Sequence, residues 1–103
     1  MIFPSDELRY AFHKLPTITQ IVCGALEFEC AKHMGQVELL DVDEPKVILS
    51  IEKLETEIVL DLLNSVNSRF RRKDKTYALA PSSFSLSVIT CNAASPNDFE
   101  NLD

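Results

Sequence analysis

Leu54-Glu55-Thr56-Glu57-Ile58-Val59-Leu60-Asp61-Leu62-Leu63-Asn64-Ser65-Val66-Asn67-Ser68-Arg69-Phe70-Arg71 is the stretch that decides the fold. Val59, Leu62, Leu63, Val66 and Phe70 recur at i, i+3, i+4, i+7 and i+11, which is one face of an α-helix. Glu55, Glu57 and Asp61 stand near its start and Arg69, Arg71 and Arg72 at its end. That order opposes the helix macrodipole at both ends. An amphipathic helix must bury its apolar stripe against another layer, and the flanking segments supply one.

Upstream, Gln36 to Asp43 and Lys46 to about Glu52 read as strands joined by a turn at Asp43-Glu44-Pro45. Downstream, Lys75 to Ala80 reads as a strand broken by Pro81. Ser83 to Cys91 alternates, with Phe84, Leu86 and Val88 expected on a buried face and Ser83, Ser85 and Ser87 on a wet one. Two helices precede the hairpin. Ser5 caps the first, which runs to about Lys14 and stops before Pro16. Thr17 caps the second, which reaches about Met34 through Ile18, Ile21, Val22, Ala25, Leu26 and Phe28 and ends on Gly35 as the C′ residue. Gly24 inside it is a weak point or a site of close packing. The expectation is an α+β fold in the order ααββαββ, with helices packed on one face of a small, largely antiparallel sheet. Residues 1–92 form its single domain, and residues 93–103, rich in Asn, Ser, Pro and acids, form a flexible acidic tail.

With 103 residues, 46% apolar and 25% charged, the chain builds one core without staples. No run approaches the roughly 20 apolar residues that span a bilayer. Met1-Ile2-Phe3-Pro4-Ser5-Asp6-Glu7 lacks the basic and then apolar regions of a signal peptide. A cytoplasmic protein without membrane association is expected. Cys23, Cys30 and Cys91 make an odd count with no CxxC pair, and are expected as reduced thiols serving as small apolar residues.

The net charge of −6 is unevenly placed. Arg69, Arg71, Arg72, Lys73 and Lys75 face one anion, Asp74, for a local +4, so the remainder carries −10. Glu38, Asp41, Asp43, Glu44, Glu52, Glu55, Glu57 and Asp61 face only Lys46 and Lys53. The acidic stretch suits the basic groove of a protein partner, because charge complementarity speeds and orients association. The alternative patch, the five cations with Phe70 and Tyr77 nearby, suits phosphates. The −10 elsewhere repels a polyanion, so nucleic acid is not the expected partner.

No catalytic or metal-binding constellation is complete. On one helix face Glu29 or Cys30 could hold an ion together with His33, but zinc takes three or four ligands. His13, Cys23 and Cys91 stand at no diagnostic spacing from them. A cysteine nucleophile needs a histidine beside it, such as His13 or His33 near Cys91, and nothing local marks that pair. No cofactor is expected.

Val66-Asn67-Ser68-Arg69-Phe70-Arg71-Arg72-Lys73, then a strand, then Ser83-Phe84-Ser85-Leu86-Ser87-Val88 resembles the end of the phage-type zinc peptidases of the D-Ala-D-Ala carboxypeptidase and L-Ala-D-Glu endopeptidase group. In that group a helix ending in Asn-x-x-aromatic precedes a strand with a His-x-His-Leu-x-Val type motif. Asp6-Glu7-Leu8-Arg9-Tyr10-Ala11-Phe12 before a long helix is similar to its short members. The resemblance covers about half the chain. Ser83 or Ser85 stands where the family has a histidine ligand, and Leu39 to Leu54, with Asp41 and Asp43, holds no histidine. The resemblance therefore implies a shortened, metal-free relative that keeps a binding role, in a phage or mobile element.

Three functions compete. The first is a non-enzymatic interaction module, an inhibitor or adaptor acting through its acidic side. The second is a divergent peptidoglycan metallopeptidase. The third is a small homo-oligomeric structural or assembly subunit, for instance a homodimer.

Overall fold

The computed structural model describes residues 1–100. Its elements are α1 (Asp6–His13), α2 (Thr17–Lys32), β1 (Gln36–Asp43), β2 (Lys46–Glu52), α3 (Thr56–Arg69), β3 (Leu79–Pro81) and β4 (Val88–Asn92), with a short 3-10 turn at Pro96–Asp98. This is the expected α+β order, ααββαββ. The four strands form one antiparallel sheet in the order β1-β2-β4-β3. Ile2 adds a parallel bridge to the outer edge of β1, its N–H donating to Val37 O at 2.8 Å and its carbonyl accepting from Leu39 N–H at 2.9 Å.

Strand alternation divides the sheet into two faces. Val37, Leu39, Val47, Leu49, Ile51, Leu79, Ile89 and Cys91 are buried in one core with the helices. Val59, Leu62, Leu63, Val66 and Phe70 of the α3 region enter the same core, as their spacing predicts. Removing such a stripe from water drives the packing, at roughly 25 cal/mol per Å² of apolar surface.

Six local expectations are corrected. In α2, Ile21 and Phe28 are 47% and 62% exposed, while Thr19, Cys23 and Cys30 take core positions beside Ile18, Val22 and Leu26. The helix packs on β1, β4 and α3, so its buried stripe lies on that side, and Ile21 and Phe28, seven residues apart, share the outer surface. At its start Pro16, with no side-chain hydrogen bond, is the N-cap rather than Thr17.

At the other end of α2 the left-handed residue is Met34, at φ 62, not Gly35. Met34 N–H donates to Ala31 O at 3.0 Å and Gly35 N–H to Cys30 O at 2.8 Å, a Schellman closure. Gly35 is needed for space, since a Cβ there would stand 2.6 Å from Leu54 Cγ.

The strand expected from Ser83 begins only at Val88, and its inward residues are Ile89 and Cys91. Phe84 and Leu86 are exposed. The serines explain it: Ser82 Oγ accepts from Phe84 N–H at 3.3 Å and Ser85 N–H at 3.1 Å, and Ser85 Oγ accepts from Ser87 N–H at 3.2 Å. Short hydroxyl side chains offer the backbone partners that compete with a ladder.

Lys75 and Thr76 are likewise outside any strand, with Asp74 Oδ1 accepting from both the N–H and the hydroxyl of Thr76, and β3 shrinks to Leu79–Pro81. Finally, the domain does not end at residue 92. Ala93 and Phe99 are buried, the Thr19 hydroxyl donates to Ala93 O, and Lys73 N–H donates to Asp98 O at 2.8 Å. Residues 93–100 are packed on the body, and residues 101–103 of the expected tail lie outside the described residues.

Candidate functional site

The two strands of the hairpin sort the acids by register. Glu38 pairs with Ser50 and Asp41 with Ile48, with a bulge between Leu39 and Asp41. In a regular strand, residues three apart point to opposite faces; the extra residue, Leu40, brings Asp41 back to the face of Glu38. Gln36 pairs with Glu52 and Asp43 with Lys46 on the same parity. Glu38, Asp41, Asp43 and Glu52 therefore share the sheet face turned away from the helices. The middle of that face carries Ile48 and Ser50 of β2 opposite Thr90 and Val88 of β4, all half-buried.

The remaining acids lie elsewhere. Glu44 is in the exposed turn, Glu55 is the N-cap residue of α3, and Glu57 and Asp61 lie on α3, in the helical layer. The acidic stretch is thus one group on the sheet and another on a helix. Among the described residues none of these eight carboxylates forms an ion pair.

The cations are more committed. Arg69 reaches Glu29 of α2 at 3.3 Å, where Lys32 also lies 3.3 Å away. Arg72 is structural: its Nη1 donates to Asn92 O at 2.6 Å and its guanidinium lies 5.8 Å over the Phe99 ring. Asp74 Oδ1 is 3.6 Å from Arg72 Nε, and the two hydrogen bonds from Thr76 hold the Asp74 carboxyl below its ordinary value. Arg71, Lys73 and Lys75 are exposed, with no acidic partner among the described residues.

The residues that could have held zinc do not fit it. Cys30 is buried in the core, His33 is exposed at the C-cap of α2, and Glu29 is engaged by Arg69 and Lys32. Among the described residues no three of His, Cys, Asp and Glu come together as a ligand set. Ser83 and Ser85, matched by resemblance to a ligand-bearing strand, lie in the serine turn. His13 packs against Phe3 and Phe12 with Nδ1 2.9 Å from Arg9 O.

All three cysteines are free and buried. The neighbouring Cys91 thiol, and then burial, push the Cys23 thiol above its ordinary value. Burial, with Glu27 and Glu29 adding to it, pushes Cys30 up to about 11. Neutral, enclosed thiols are poor nucleophiles.

Two buried polar residues, Thr19 and Asn67, were not among the sequence candidates. Their signal was available: each is a lone polar side chain on the apolar face of its helix, where a partner must be supplied. For Thr19 the partner is Ala93 O, and for Asn67 it is Leu79. No helix among the described residues is long and apolar enough to cross a membrane. No family model, curated protein or solved structure matches the chain.

Proposed function

We propose that the chain is a non-catalytic protein-interaction module, an inhibitor or adaptor of the kind carried by phages and mobile elements, that offers the outer face of the β1–β2 hairpin to a basic protein partner. One observation carries this reading: Glu38, Asp41, Asp43 and Glu52 share that face, with no ion pair among the described residues, beside half-buried Ile48 and Val88. An apolar centre with a charged rim is the usual composition of a protein interface. The acids would steer the encounter and set orientation, while Ile48, Val88 and Thr90 supply the area removed from water. Acids on β1 also protect a sheet edge from pairing with other strands. That role does not require Glu52, which sits on an inner strand.

The test is capture from the native host with two baits, the natural chain and Glu38→Gln/Asp41→Asn/Glu52→Gln. A partner retained by the first and lost by the second supports the reading; equal retention removes it. A peptidase function is tested by metal analysis of protein purified without chelator, where stoichiometric zinc would replace the present reading.

Self-association is favoured by a separate observation. The outer surface of α2 exposes Ile21 and Phe28, and beyond the helix's own backbone nothing lies within 4 Å of where a side chain at Gly24 would begin. A second copy of α2 could approach closely there. Mass measurement in solution, with and without Phe28→Lys, decides it.

A further inference from the structure

The segment joining α3 to β3 builds a cavity that the acidic face does not use. Arg71, Arg72, Lys75, Thr76, Tyr77 and Glu100 line a space of about 230 Å³. Arg71 and Tyr77 also line an adjoining recess of about 290 Å³, where Asn64 and Ser68 of α3 contribute. The walls are held from several directions. Lys73 N–H donates to Asp98 O at 2.8 Å and Glu100 N–H to Arg71 O at 2.6 Å, tying the segment to residues 98–100. Lys75 stands at φ 65, an uncommon conformation for a lysine, stabilised by its N–H donating to Arg72 O at 3.1 Å.

Arg72 gives the cavity its chemical character. Its side chain is only 10% exposed, and its Nε is buried with no hydrogen-bond acceptor among the described residues. The Asp74 carboxylate, at 3.6 Å, is too far to serve as one. A buried guanidinium N–H is costly unless an oxygen meets it. Arg71 and Lys75 add two exposed cations to the same lining, and Tyr77, 70% exposed, adds an open aromatic face. Guanidinium groups match the oxygens of a phosphate in geometry as well as charge. An exposed ring beside them is a stacking surface for a flat organic group.

We propose that this cavity binds a phosphate monoester, its phosphoryl oxygens held by Arg71, Arg72 and Lys75 and its organic part laid against Tyr77. Size and charge select a small ligand over a nucleic-acid strand. Glu100 adds one carboxylate to a lining that holds three cations, and the −10 carried outside residues 69–75 repels a long polyanion more than it does a compact dianion.

The test is an NMR titration of the full-length, isotope-labelled chain at low salt with inorganic phosphate and, separately, with AMP. Saturable shifts are expected at the amides of residues 67–77 and 100, with AMP binding more tightly. Arg71→Gln/Lys75→Gln should weaken both probes by about tenfold or more. Tyr77→Ala should remove the advantage of AMP. The amide spectrum of the core strands shows whether each variant is folded, and Arg71→Gln alone serves if the double variant is not. The site is overturned if neither probe gives saturable shifts, or if a folded Arg71→Gln chain binds both as tightly as the natural one. Equal binding of phosphate and AMP, unchanged in Tyr77→Ala, overturns the ester.

Discussion

Asn67 and Leu79 exchange two hydrogen bonds, Asn67 Nδ2 donating to Leu79 O at 2.9 Å and Leu79 N–H donating to Asn67 Oδ1 at 2.9 Å. A side-chain amide thus occupies the place of a neighbouring strand along the outer edge of β3. β4 takes the other edge, with Asn92 N–H donating to Ala78 O at 2.8 Å and Ser82 N–H to Val88 O at 2.7 Å. The pair locks the last turn of α3 to the sheet and closes an edge that would otherwise be open to other chains. Asn67→Ala leaves the buried donor and acceptor of Leu79 both unpaired, at about 1–3 kcal/mol each. A urea titration should show a loss of about 2 kcal/mol or more. A loss below about 0.5 kcal/mol, the range of an ordinary surface change, would mean that water replaces the amide at no cost.

The two glycines make opposite predictions. Gly35→Ala drives a Cβ to 2.6 Å from Leu54 Cγ and 2.7 Å from Leu54 Cδ1. The branch point itself must move, which should cost about 1–3 kcal/mol. Gly24 is an exposed helix-interior residue with nothing within 4 Å of its Cβ direction. Gly24→Ala should therefore stabilise by about 0.5–1 kcal/mol. Thermal unfolding of both variants checks the pair, and destabilisation by Gly24→Ala would show that the outer surface of α2 is covered in solution.

The parts of this fold legible from residue order are those where period and polarity agree. The α3 stripe and the β1–β2 hairpin are such cases: both faces of each are marked by residue type. α2 is misread in phase because hydropathy favours Ile21 and Phe28, whereas the core takes Thr19, Cys23 and Cys30; Thr19 and Cys23 there meet Ala93 O and Cys91, which arrive from far along the chain. The run from Ser82 to Ser87 alternates as a strand does, but its hydroxyls close a turn. For the candidate surface, the acids were visible and their grouping was not. The bulge at Leu40 decides which carboxylates share a face, and nothing in the residues 39–41 marks it. Charge counting likewise treated five cations alike, though Arg69 and Arg72 are tied into the structure.

The cysteines predict a pH dependence with a definite sign. Cys30 moves from 9.0 to about 11 on folding, so between these values the folded chain keeps a proton that the unfolded chain has released. Stability then falls as pH rises through that window, and this contribution is fully present below it. Cys23 acts in the same direction. The urea midpoint should drop between about pH 9 and about pH 11, and the drop should be smaller in Cys30→Ala. Alkylation without reductant should label all three thiols on unfolding, with few labelled in the native chain. A mass two hydrogens short would reveal a disulfide.

The acidic face makes the last prediction, and the register supplies its control. Glu38→Gln/Asp41→Asn/Glu52→Gln neutralises the sheet group, while Glu55→Gln/Glu57→Gln/Asp61→Asn removes the same charge from α3. If association with the captured partner depends only on net charge, both sets slow it alike. If the sheet face is the contact, the first set slows association more, and its effect fades as salt rises, since screening at physiological ionic strength acts over about 8 Å. Thermal midpoints must be read beside the rates, because Glu57 in the first turn of α3 also opposes the helix dipole, by a contribution of about 0.3–1 kcal/mol. The sheet set has no such dipole to oppose and should change stability little. A third variant, Arg71→Glu/Lys73→Glu/Lys75→Glu, keeps Arg72 and so leaves its bond to Asn92 O in place. Should that variant lose the partner while the sheet set binds normally, the partner is acidic or phosphorylated, and the hairpin face is not its docking surface.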